Sequence, residues 1–159
     1  ILQRYIDQIA EITGNDFMVA HKVPPHMTIS SIEARSVEVL EPVFACLEGK
    51  LVSGKIPFVS VGQLLPYVMY VTPVLNDYLS NLSTQVYEAF KDIPETKISR
   101  IYQPGSWLPH VTLGKTLDKY QMVEAFKVMQ NSFQPFEAAV TEIGLAKVNP
   151  HEDVASFKL

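Results

Sequence analysis

Two short stretches of this sequence carry the same residue types in the same order: PHMTIS at 25–30 and PHVTLG at 109–114. Each reads Pro-His-x-Thr-aliphatic-small, in a chain with only four histidines. A lone H-x-T would be a weak signal, since short patterns recur by chance. Agreement at the proline before and the two residues after makes the pair one signal. Histidine has an unperturbed pKa of about 6.5, so of two rings one can be neutral and the other cationic near neutrality. A paired general base and general acid need that combination. Threonine hydroxyls can donate to the non-bridging oxygens of a phosphate held between the rings. His26, His110, Thr28 and Thr112 together read as a metal-free phosphodiester site.

Such residues need a strand to present them. In a strand, residues i and i+2 point to one face, about 6.5–7 Å apart. His26 and Thr28 therefore look one way and Met27 and Ile29 the other; His110 and Thr112 are likewise opposed to Val111 and Leu113. Each motif is half core and half site. Ser30 and Gly114, next on the polar side, are small and would leave room for a ligand.

Around these strands the chain alternates helical and extended patterns. Leu2, Tyr5, Ile6, Ile9 and Ile12 form a helical stripe that Gly14 can cap. FMVA at 17–20 is expected to be a strand, HMTISSIE at 26–33 another, and a helix is expected from Leu40 to Gly49 with Pro42 in its first turn. IPFVSVGQLL and YVMYVTP predict an antiparallel pair. Leu75, Leu79, Leu82, Val86 and Phe90 mark a second long helix, and HVTLGK a strand. Asp118 with Gln121 forms a capping-box start for a third. PFEAAVTEIGLAKV reads as a strand pair or one bent strand, and VASFKL as the last strand. Helix–strand–helix–strand thus occurs twice, and both second strands open with Pro-Phe, at 57–58 and 135–136. The pattern predicts an α+β fold with mainly antiparallel sheets, arranged as a diverged internal duplication.

Bulk properties bound the function. A chain of 159 residues fits one domain with a sizeable core. No run approaches the length of a membrane span, and no signal-peptide pattern opens the chain. The single cysteine, Cys46, is compatible with a reducing cytoplasm; among apolar neighbours it is expected to be a buried small hydrophobe. A net charge of −4 argues against coating duplex nucleic acid through its phosphates. It leaves room for a pocket that holds one nucleotide or one RNA end, and a monomer is expected.

PHMTIS and PHVTLGK resemble the paired H-x-[ST]-hydrophobic motifs of the two-histidine (2H) phosphoesterase superfamily, which includes bacterial 2'-5' RNA ligases and RNA 2',3'-cyclic phosphodiesterases. The second motif is close to the family form, which often continues with arginine where Lys115 stands. The first continues ISSIEA in place of a more aliphatic stretch. The resemblance implies two pseudo-symmetric lobes within residues 1–159, each supplying one H-x-T motif to a central cleft. It also implies hydrolysis of a cyclic phosphate to a monoester with no metal or other cofactor, His26 and His110 sharing the acid and base duties. The sequence does not assign the two duties; we prefer His110 as base and His26 as acid. Joining RNA ends through a 2'-5' linkage would use the same residues in reverse. The family commonly begins with a strand before the first helix, so this strand is expected to lie outside the sequence, leaving one sheet short of a partner.

Three further residues are candidate substrate contacts. Lys115 has core-facing parity and reaches the ligand only where its strand ends or bulges. Trp107 and Tyr102 lie in the long connection before the second motif and either stack on a base or pack under their loop. His21 and His151 lack a matching context and read as surface residues. GKLVSGKI at 49–56 imitates a phosphate-binding loop, but Ile56 and Pro57 replace the hydroxyl residue and the helix start it needs. No histidine spacing supports a metal site. Besides an enzyme, two readings stand: a module gripping a nucleotide without turnover, and an interaction domain that retains the motifs by descent.

Overall fold

The computed structural model describes residues 1–22, 24–148 and 151–159. In chain order the elements are α1 (Leu2–Thr13), α2 (Phe17–Ala20), β1 (Ile32–Glu33), α3 (Glu41–Ala45), β2 (Gly54–Leu64), β3 (Val68–Pro73) and α4 (Asp77–Phe90). Then come β4 (Lys97–Ile98), β5 (Val111–Gly114), α5 (Lys119–Ser132), β6 (Phe136–Val140), β7 (Glu142–Lys147) and β8 (Glu152–Lys158). The fold is α+β, and every strand pairing with a described register is antiparallel. Among the described residues no helix is long and apolar enough to cross a membrane.

The chain divides into two compact units. Unit 1 comprises Ile1–Thr28, Pro57–Val74 and Pro109–Phe136; unit 2 comprises the three intervening and terminal segments. Both H-x-T motifs fall in unit 1, a division by space rather than by order along the chain.

In unit 1, β3 is the middle strand between β5 and the second part of β2. Alternation sorts its residues: Met69 and Val71 are fully buried, while Tyr70 and Thr72 on the other face stay half-buried. The buried face is shared with Val111 and Leu113 of β5 and with Tyr5, Ile6 and Ile9 of α1. Gly14 stops α1 with φ 67°, its amide donating to the Ala10 carbonyl. At the start of α5, the Asp118 carboxylate accepts from the Tyr120 and Gln121 amides at 2.8 and 2.9 Å. The Gln121 side chain returns the bond, accepting from the Asp118 amide at 3.0 Å and donating to the Thr13 carbonyl at 3.2 Å. One capping box thus closes α5 and ties it to the end of α1.

Unit 2 has its own core of Leu40, Phe44, Leu47, Leu51, Leu82, Val86, Phe90, Ile143 and Phe157. The Asn76 side chain caps α4, accepting from the Leu79 amide at 3.0 Å. β1 pairs with β4, and β7 with β8.

Several expectations need correction. FMVA is a single helical turn, not a strand: the Asn15 side chain accepts from the Phe17 amide and turns the backbone. HMTISSIE is not one strand; it makes one isolated bridge at Met27 and a two-residue strand at Ile32–Glu33. The helix expected from Leu40 to Gly49 is regular only over Glu41–Ala45. Cys46 is exposed, because Phe44 and Leu47 take the core positions of that turn. Of the two forms expected for PFEAAVTEIGLAKV, the structure has two strands, separated at Thr141.

Replacing Asp118 by alanine should leave the α5 amides uncapped and cost about 1 kcal/mol, lowering Tm by roughly 2–4 °C. Urea denaturation with an unchanged m-value checks this; an unaltered midpoint would refute the capping account.

Candidate active site

The two motifs meet at one antiparallel bridge, Met27 opposite Val111. Antiparallel neighbours step in opposite senses, so His26 stands opposite Thr112 and Thr28 opposite His110. All four lie on the face away from Met27 and Val111. Val111 is buried and Met27 half-buried, so the aliphatic members hold the bridge from the core side. His26 is exposed; Thr28, His110 and Thr112 are half-buried.

Each ring has a visible support. His26 Nδ1 lies 2.9 Å from the Pro24 carbonyl oxygen. A carbonyl only accepts, so Nδ1 carries the hydrogen and Nε2 is the nitrogen left for chemistry. His110 stands one step from Pro109, whose carbonyl accepts from the Thr72 hydroxyl at 2.7 Å. The His110 ring also meets the Tyr70 ring, with centroids 5.2 Å apart and planes inclined by 60°. In the β3–β5 register Tyr70 is opposite Thr112. In the β2–β3 register Gly62 is opposite Tyr70, and Ser60 opposite Thr72. These register positions of unit 1 carry imidazole, hydroxyl and phenol side chains.

The remaining candidates fall elsewhere. The strand shifts register between Met69 and Tyr70 and ends at Gly114, which frees Lys115 from the core. Lys115 is exposed, its ammonium 5.4 Å from the Phe17 ring centre. Gly114 does not leave room for a ligand as its parity implied. A Cβ there would meet Leu117 Cδ1 at 2.9 Å and Ile9 Cγ2 at 3.4 Å, so it faces the helix side. Ser30, Tyr102 and Trp107 belong to unit 2. Trp107 is 6% exposed and Tyr102 half-buried in a short 3-10 turn. His21 and His151 are both exposed; His21 stacks on Phe17 and His151 faces Asp153 at 3.1 Å.

Tyr70 and Thr72 were not singled out in the sequence. Counting back from the hairpin between IPFVSVGQLL and YVMYVTP would have placed them on the face opposite Met69 and Val71. Nothing in the types themselves marks them, since tyrosine and threonine are ordinary strand formers.

A family model described as the 2'-5' RNA ligase superfamily matches residues 2–152, a span that includes both motifs. A comparison with curated proteins finds no match.

The Pro24 contact makes one spectroscopic prediction. When His26 is neutral it should be the Nδ1–H tautomer, giving an unprotonated Nε2 in long-range 15N–1H correlation spectra. An Nε2–H tautomer would contradict the contact.

Proposed function

The chain belongs to the 2'-5' RNA ligase superfamily, and on that premise we propose that it hydrolyses the 2',3'-cyclic phosphate of a nucleotide or RNA end, with paired histidines and no metal ion. The observation that carries this reading is the Met27–Val111 bridge, which joins the two motifs at their central aliphatic residues.

One histidine takes a proton from water as the water oxygen attacks phosphorus. The bond from phosphorus to one ribose oxygen breaks, and the other histidine protonates that oxygen. Water is added across one P–O bond and the product is a phosphomonoester. The Thr28 and Thr112 hydroxyls donate to the non-bridging oxygens, whose charge grows in the transition state. The Nδ1–Pro24 contact leaves His26 Nε2 able to serve in either role: its lone pair in the neutral ring, its N–H in the cationic one. We keep His110 as base and His26 as acid. With a ribose 5'-hydroxyl in place of water as nucleophile, the bond from phosphorus to the 3' oxygen would break, that oxygen would take the proton, and two RNA ends would be joined through a 2'-5' linkage. A single RNA end rather than a duplex is the fitting partner, and a cytoplasmic monomer the fitting context.

Lys115 remains a candidate contact for a further phosphate, on the strength of its exposure and its place at the end of β5. Tyr102 and Trp107 are kept as candidate substrate contacts on their position before the second motif alone.

Incubation with a panel of 2',3'-cyclic nucleotides in EDTA should yield a single monoester and a bell-shaped pH–rate profile. His26→Ala and His110→Ala should each lower kcat by about 10²–10⁴-fold with the fold retained. Thr28→Val and Thr112→Val should each lower kcat/KM by roughly 10–100-fold, as expected for one hydrogen bond to a charged group. Tight nucleotide binding without turnover on any cyclic phosphate would replace this reading with a binding module. Turnover unaffected by either histidine variant would refute it.

A further inference from the structure

β3 carries no H-x-T motif, yet two of its side chains bear on the second one. Thr72 holds the Pro109 carbonyl at 2.7 Å, fixing the backbone one residue before His110. Tyr70, two residues along on the same face, reaches diagonally to the His110 ring. The Tyr70 ring has a defined seat. Across the sheet it overlies Gly62: a Cβ built there would lie 2.5 Å from the phenol oxygen, well inside contact, and closer still to Cζ. Glycine inside a strand costs stability, since it has no side chain to pack and loses more freedom on ordering. Here its bare backbone is what lets the tyrosine lie flat across β2 and meet the imidazole on the other side.

From this we propose that Tyr70 is a positioning residue for His110, and that Gly62 is the slot that sets it. The inference deepens the reading of the site given above and rests on it for its kinetic part. An imidazole on a strand has two side-chain torsions to settle, and its working nitrogen must be aimed at a reacting atom. A misplacement of about 1 Å can cost on the order of 100-fold in rate. The Tyr70 ring, 5.2 Å away between centroids, blocks one sweep of the His110 ring. The contact uses the ring, so the hydroxyl is dispensable to it.

Four variants test this: Tyr70→Phe, Tyr70→Ala, Gly62→Ala and the double change Gly62→Ala/Tyr70→Ala. The first readout needs no substrate. The His110 Hε1 and Hδ2 resonances should be unmoved in Tyr70→Phe, and displaced in both Tyr70→Ala and Gly62→Ala as the ring is lost or pushed off its seat. The second readout is kinetic, on the cyclic phosphate the wild type turns over best. Tyr70→Ala and Gly62→Ala should lower kcat by about 10–100-fold with KM within about twofold, and Tyr70→Phe should keep the wild-type kcat. In the double variant Gly62→Ala should add nothing to Tyr70→Ala, because coupled residues do not act additively.

Unmoved His110 resonances in Gly62→Ala and Tyr70→Ala would overturn the proposal whether or not the protein turns over. So would a KM rise that varies with the base while kcat holds, which would make Tyr70 a stacking platform. Wild type with no turnover defeats the hydrolytic reading alone; the resonance shifts then decide the positioning role.

Discussion

Everything proposed for this protein depends on one steric rule applied twice: successive side chains of an extended chain point to opposite faces. Where Met27 faces Val111, those two aliphatic groups turn to the core side. Their polar neighbours have no choice but to turn the other way. Packing of these aliphatic residues thus brings the two motifs together at one bridge. The driving force is the burial of Val111, Leu113, Met69 and Val71 against the α1 stripe of Tyr5, Ile6 and Ile9. A slip of the first motif by one residue at the bridge would turn its polar residues toward the core, while β5 stays registered on β3.

The middle strand of unit 1 does two jobs by the same alternation. Its odd residues, Met69 and Val71, are fully buried, and its even residues, Tyr70 and Thr72, bear on the second motif. On the first motif the corresponding support is local, from the Pro24 carbonyl to His26.

Much of this could be read in the sequence where the signal was long or reciprocal. The α1 stripe with Gly14, the Asp118–Gln121 capping box and the β2–β3 hairpin are such cases, since each has several residues in agreement. Short apolar runs misled. FMVA has too few residues for its period to show, and the Asn15 side chain, not the apolar pattern, turns it into helix. HMTISSIE pairs at Met27 with one partner and at Ile32–Glu33 with another, because a strand needs a partner along its length and pairing is non-local. The bulge that releases Lys115 and turns Gly114 inward is likewise a property of register. Tyr70 escaped notice because its meaning comes from Gly62, eight residues away in the chain and directly opposite in the sheet.

The central claim is that both imidazoles address one phosphorus atom. A crystal structure with a bound nucleoside 2'-monophosphate, or with inorganic phosphate, measures this most directly. The account places phosphate oxygens within hydrogen-bonding distance of Nε2 of both His26 and His110, with the Thr28 and Thr112 hydroxyls on the remaining oxygens. An anion that touches only one of the two rings, or that settles away from the Met27–Val111 bridge, would contradict it.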